Sequence, residues 1–283
     1  MKAFFIIILS LISISLFSQN KNTTLKPNSE EEKTDYSGWQ FGGNMGMYFA
    51  NKNTANYYNG ARVDNNAYNL DSTLLERVIN NPFNQKQIRD ALGGYNYKMG
   101  EYATGMKYQP AMTFGVFARY QVDETFGIFG QFNYSKIKTS DFFTIYLDKY
   151  NNGFTEPYIY TANISGSEER INIDLGFSLM MKTDKKIYPY FEVAANLSEV
   201  TAKESNIKIE TLEYSIMSPY NQMYNIKEGG LGIGGLVSAG YHIEFNSNFL
   251  FDIGPTLYIS KIHLGDYPKY AMNGMLQLRI IFV

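Results

Sequence analysis

Several stretches of the chain alternate strictly between apolar side chains and small or polar ones. Ile171, Ile173, Leu175, Phe177, Leu179 and Met181 fall at every second position, as do Phe249, Phe251, Ile253, Pro255, Leu257 and Ile259. Met272, Gly274, Leu276, Leu278, Ile280 and Phe282 repeat the pattern near the end of the chain. Successive side chains of a β-strand point to opposite faces, so each set shares one face of an extended segment. The other faces carry Asn172, Asp174, Gly176 and Ser178, then Asp252, Gly254, Thr256 and Ser260, then Asn273, Gln277 and Arg279. Early in the chain, Trp39, Phe41, Met45, Met47 and Phe49 oppose Gln40, Gly42, Asn44 and Gly46. The periodicity predicts eight strands, over residues 38–49, 109–120, 125–136, 170–181, 187–198, 230–243, 248–260 and 271–283.

The links between these strands alternate in length. Residues 121–124, 182–186 and 244–247 are short and turn-like, whereas 50–108, 137–169, 199–229 and 261–270 are long. An antiparallel meander with tight turns at one end and loops at the other has this order. An even strand number places both chain ends on the turn side.

The direction of the apolar face separates two architectures. A soluble sandwich or lipocalin-like barrel turns it inward and leaves the polar face in water, where charges usually abound. Here the polar faces are dominated by Gly, Ala, Ser, Thr and Asn, with one or two charges each, and the apolar faces hold no Asp, Glu, Lys or Arg between their ends. An Arg or Lys at a bilayer midplane costs about 2–4 kcal/mol. The pattern therefore predicts an all-β fold: an eight-stranded antiparallel transmembrane β-barrel with long extracellular loops, or ten strands if a loop holds a further hairpin. Both chain ends are then periplasmic.

The N-terminus agrees with that placement. Residues 1–18 read as a signal peptide, with Lys2 ahead of an apolar run, although an uncleaved anchor has the same composition. Residues 19–37 are polar and read as a flexible periplasmic tail, leaving 38–283 as the barrel. Together these features predict the outer membrane of a bacterium. With no Cys in the chain, neither a disulfide nor a lipoprotein anchor is expected. The 24 Tyr and 20 Phe suit aromatic girdles at the two membrane surfaces, and a net charge of −2 gives no electrostatic case for nucleic acid.

The first loop, 50–108, carries the helix signals. Thr73 and Glu76 have capping-box spacing ahead of the apolar stripe Leu74, Leu75, Val78 and Ile79. Asn81-Pro82 then reads as an N-cap followed by Pro at the first helical position, and Gly93-Gly94 as a stop after Ile88 and Leu92. The stripe suits a helical hairpin that covers its own loop, a lid over the barrel mouth, or a knob that binds a partner protein. The other loops are rich in Tyr, a side chain suited equally to binding and to packing at the rim.

Candidate chemistry lies on the inward faces, at Arg119, Gln131, Asn133, Asp174, Glu192, His242, Asp252 and Arg279. An eight-stranded barrel has an interior just wide enough for side chains, and buried charges there must pair. The set predicts a polar network that plugs the lumen, with a narrow path for ions or small solutes as the alternative. An enzyme is not expected. Of the two His, His242 is predicted near the turn end, and His263 lies in the last loop three residues before Asp266, with no motif that places a serine. The glycine-rich run 229–235 lacks the Lys-Ser/Thr of a phosphate loop, and no metal cluster or other cofactor motif is present. Pro255 lacks a ladder donor and, beside Gly254, predicts a bulge.

The leader, the alternating strands from Trp39 to Phe282 and the closing run Leu276 to Val283 resemble small bacterial outer-membrane barrels of the OmpA/OmpX type. The Tyr, Asn and Lys bias and the Leu-Phe-Ser-Gln-Asn that ends the leader are similar to members of a Bacteroidetes-type outer-membrane β-barrel family. The resemblance implies a non-enzymatic envelope protein without cofactors. The partners to expect are outer-membrane lipid, the barrel-assembly machinery and, as one option for the surface loops, a protein. A pore or transport component and an accessory subunit of a secretion complex are compatible alternatives. The family's assembly signal ends in an aromatic residue, whereas Phe282 here is followed by Val283.

Overall fold

The computed structural model describes residues 38–63, 72–149, 157–183, 185–218, 223, 228–246, 249–264 and 270–282. The expected leader and tail, and Asp266, lie outside them. The strands are β1 (Gly38–Phe49), β2 (Tyr97–Met99), β3 (Lys107–Tyr108), β4 (Ala111–Gln121), β5 (Phe126–Leu147), β6 (Tyr158–Met180), β7 (Ile187–Ile209), β8 (Leu212–Ser215), β9 (Gly229–Asn246), β10 (Phe249–Lys261) and β11 (Tyr270–Phe282). Between β1 and β2 lie a 3-10 helix (Lys52–Tyr58) and two α-helices, α1 (Leu74–Ile79) and α2 (Pro82–Ala91).

Eight strands close a ring. Pairing runs β1–β4–β5–β6–β7–β9–β10–β11, and β11 returns to β1, antiparallel at every step. Closure removes the free edges that an open sheet leaves. The short β2 and β3 add to the far end of β5, and β8 to that of β7.

Three strands are about twice as long as expected. β5, β6 and β7 run for 22, 23 and 23 residues, so most of the expected loop 137–169, and 199–209 of the next, is strand. The reason is a reversal of polarity that leaves the period intact. On β5 the outward side chains are Ile128, Phe132 and Tyr134, then Lys136, Lys138 and Ser140. Its inward side chains are Gln131, Asn133 and Ser135, then Ile137, Phe143, Ile145 and Leu147. On β6 the outward series changes from Ile173 and Ile171 to Glu169, and on β7 from Val193 and Leu197 to Glu199. The change falls along neighbouring rows of the sheet, where Lys136 pairs with Glu169 and Glu169 with Thr201. Lys203, the extra residue of a bulge in β7, turns outward and bridges Glu169 at 2.9 Å.

Below that row the outer surface is apolar all round. Phe41, Phe114, Ile173, Leu175, Val193, Ile233, Ile253 and Leu276 all face out and are exposed. Along β6 and the residue that follows it, the band runs from Ile171 to Met181. The ten steps between them, at about 3.3 Å each and tilted by about 40°, give a height near 25 Å, the thickness of an outer-membrane hydrocarbon band. Above the row the inward faces of β5–β7 form a dry sheet that requires a cover.

Loop one supplies it. Leu74, Leu75, Val78, Ile79, Ile88 and Leu92 of the two α-helices join Phe143, Ile145, Leu147, Ile164, Ile207 and Ile209 in one apolar core. The stripe packs on its own loop, at Ala103 and Met106, and beyond that expectation also on the inner faces of the extended β5–β7 wall.

Candidate functional site

The lumen between the turn end and the cap is filled by two clusters of charge. In the lower one Arg279 (β11) donates to both carboxylate oxygens of Glu192 (β7) at 2.6 and 2.8 Å and to Gln131 Oε1 (β5) at 2.9 Å. Asp252 (β10) lies 3.3 Å from Arg119 (β4) and 3.6 Å from Arg279, and it also meets the His242 ring. Arg119 donates to Gln40 Oε1 at 2.9 Å. Gln131 and Asn196 donate to Asp174 (β6) at 2.7 and 2.6 Å, and Tyr258 donates to it at 3.3 Å. The structure thus brings together Arg119, Gln131, Asp174, Glu192, His242, Asp252 and Arg279, each almost fully buried. Asn133 lies one row higher, buried beside Asn172. The register explains the convergence: each residue occupies an inward position of a different strand. The phenyl rings of Phe117 and Phe129 lie under the Arg279 guanidinium, at 4.4 and 5.6 Å, and fill the remaining section.

The second cluster lies where the lumen meets the cap. Arg170 (β6) donates to Glu168 at 2.5 Å, to Thr54 of the 3-10 helix at 3.1 Å and to Asn273 (β11) at 3.2 Å. Tyr58 and Tyr108 donate to the other Glu168 oxygen at 2.9 and 2.8 Å. Burial, and then the charge of Glu168, push the Tyr58 phenol well above its ordinary range, which keeps it a donor. Tyr57 and Arg62 meet Glu228 in the same layer. Sequence reasoning missed this cluster because it ended the strand at Arg170. The signal was there: Glu168 and Arg170 continue the inward phase of Asn172 and Asp174.

The chain builds the cap from local rules. Thr73 Oγ1 accepts from the Glu76 backbone N–H at 3.2 Å, and Glu76 accepts from the Thr73 N–H at 3.0 Å, closing the capping box. That backbone donor holds the Glu76 carboxyl below the usual range. Asn81 caps α2 ahead of Pro82, and Gly93 and Gly94, with φ of 80° and 82°, end it. Thr73→Ala is expected to lower the stability of the cap by about 1 kcal/mol, seen as faster amide exchange in α1 with none in the barrel.

The two histidines lie apart from each other. The His242 ring is held between Asp252 and Tyr188, whose ring centroid lies 4.9 Å away. His263 is exposed, and its Nδ1 lies against the Leu231 carbonyl. Among the described residues no group of His, Asp and Glu is placed to hold a metal ion. At the turn end a cavity of about 10 Å³, lined by Gln40, Arg119, Tyr188 and His242 among others, has room for about one water.

No protein-family model matches the chain, and no curated protein sequence does. Solved structures with a similar course include Neisserial surface protein A, at 8% identity and a TM-score of 0.45, covering 87% of this chain and 97% of that one. Ail, the attachment invasion locus protein of Yersinia pestis, is similar at 13% identity and a TM-score of 0.35 over 87% and 99% of the two chains. The outer membrane protein OprG from Pseudomonas aeruginosa is similar at 9% and 0.38 over 88% and 96%. The closed ring of pairings, independent of these likenesses, makes the chain a barrel.

Proposed function

We propose that the chain is a non-enzymatic barrel of a bacterial outer membrane. It presents a rigid cap on the cell surface that binds a partner or stabilises the envelope. The observation that carries this reading is the polarity reversal at Lys136, Glu169 and Glu199. A bilayer demands an apolar exterior below that line, and water demands a polar one above it. The ends then take their orientation: tight turns in the periplasm, cap outside. The plug argues against an open channel, since Arg119, Arg279, Tyr258 and Phe129 occupy the lumen. Phe83, 87% exposed on α2, lies outside the cap core and suits contact with a protein.

The chain has no Cys, so single cysteines report location cleanly. Lys138→Cys is expected to react with a membrane-impermeant maleimide on intact cells, and Glu124→Cys only after lysis. Equal labelling of both on intact cells, or a lipid-free protein in the periplasm, overturns the reading.

One observation favours a narrow path as the second reading. Asn44, Asn133 and Asn172 lie along one register row, and each has a buried amide nitrogen without a protein partner. Stepwise nanosiemens openings in planar bilayers decide for the path, and a silent bilayer for the plug.

A further inference from the structure

The trough on the outer surface of β7, β9, β10, β11 and β1 has no part in the plug or the cap. It has a volume of about 450 Å³ and an apolar lining. Phe49 and Phe191 wall its two ends, and Gly274, Leu276, Pro255 and Ala239 lie between. It runs across the strands, because Phe49 pairs with Gly274, Leu276 with Pro255, and Phe191 with Ala239. Five strands at about 4.8 Å spacing make it roughly 19 Å long. The strands tilt, so the trough slopes. Phe49 ends β1 at the rim of the apolar band, whereas Phe191 is the fifth residue of β7 above the turn end.

Pro255 shapes the floor. Its ladder to β11 is unbroken at Leu276, whereas the ladder to β9 passes from Ile253–Tyr241 to Thr256–Ser238. The missing donor therefore falls on the β9 side. From within the lumen the Ser238 hydroxyl donates to the Pro255 carbonyl at 3.2 Å and mends the seam. Outside, the Pro255 ring and Ala239 line the trough at this point.

We propose that this trough is a binding site for one acyl chain of a phosphate-bearing lipid in the outer leaflet. It lies wholly inside the apolar band, so its occupant is hydrocarbon. Lys261, paired with Tyr270 above the trough, supplies an ammonium at the rim for a phosphate, and the exposed Lys52 follows Phe49 by three residues in the chain. A second barrel presents a convex wall, which spans the trough instead of entering it. The inference rests on the outer-membrane reading.

A Cβ added at Gly274 meets only the Phe49 Cβ, at 3.9 Å, so Gly274→Leu fills the trough without moving the backbone. Wild type, Gly274→Leu and Lys261→Gln are compared by native mass spectrometry from detergent containing phosphatidylglycerol, with phosphate-free diacylglycerol as the second probe. Migration with and without boiling is read in parallel to show that each barrel is folded. One retained phosphatidylglycerol is expected on wild type, with occupancy lower by about tenfold in Gly274→Leu. Lys261→Gln is expected to lower phosphatidylglycerol retention by about threefold and leave diacylglycerol unchanged. Equal retention by wild type and Gly274→Leu, no retained lipid on a folded barrel, or a dimer that Gly274→Leu dissociates each overturns the proposal. A barrel that fails to fold in detergent sinks the outer-membrane reading instead.

Discussion

Arg279→Met is expected to destabilise the barrel by about 3–5 kcal/mol, measured as the shift in folded fraction during urea titration in lipid vesicles. The guanidinium forms a fork on Glu192, and both side chains are fully buried. Removing the cation leaves a carboxylate with neither water nor a counter-ion, and that penalty exceeds what the pair gains over an apolar pair. The companion Arg279→Met/Glu192→Leu is therefore expected to recover most of the loss. The remaining deficit reports the Arg279 contacts to Gln131 and Asp252. Equal destabilisation by the single and double variants shows that the fork contributes shape alone.

The second large effect belongs to the outer surface. Leu175→Lys, in the middle of the apolar band on β6, is expected to cost about 2–4 kcal/mol in vesicles. The same lysine at Asn163, on the same face above the Lys136–Glu169 row, is expected to stay within about 0.5 kcal/mol of wild type. The two positions are alike in strand, face and direction, so the difference isolates the solvent. Equal costs at the two sites mean that hydrocarbon does not end at that row.

The ring was legible wherever one face stayed apolar. β1, β4, β10 and β11 lie almost wholly within the band and match their expected spans to within a residue or two. The upper parts of β5–β7 were not read as strand because a search for an outward apolar stripe stops at Tyr134 and Ile171. Beyond them the alternation persists with its polarity reversed, as in Ile137, Phe143, Ile145 and Leu147 against Lys136, Lys138 and Ser140. The bulge at Lys203 also shifts the phase by one residue in β7, so Val200 and Ala202 below it and Ile207 and Ile209 above it do not share a parity. Helix ends were legible because Thr73, Glu76, Asn81 and Gly93 act on their own neighbours. The surface those helices cover was not, since Leu75 shares a core with Ile164 of β6 and Ile207 of β7 only once both strands have been placed.

Closure of the ring has a kinetic consequence. Phe41 pairs with Phe282, so the last seam joins residues separated by nearly the whole barrel sequence. Every other neighbouring pair of ring strands is linked by a turn or a single loop, whereas β1 must wait for β11. Contacts of such sequence separation make folding slow. Until that seam zips, β1 and β11 both expose unpaired amides and carbonyls, so a chaperoned, edge-holding intermediate is the state most open to aggregation.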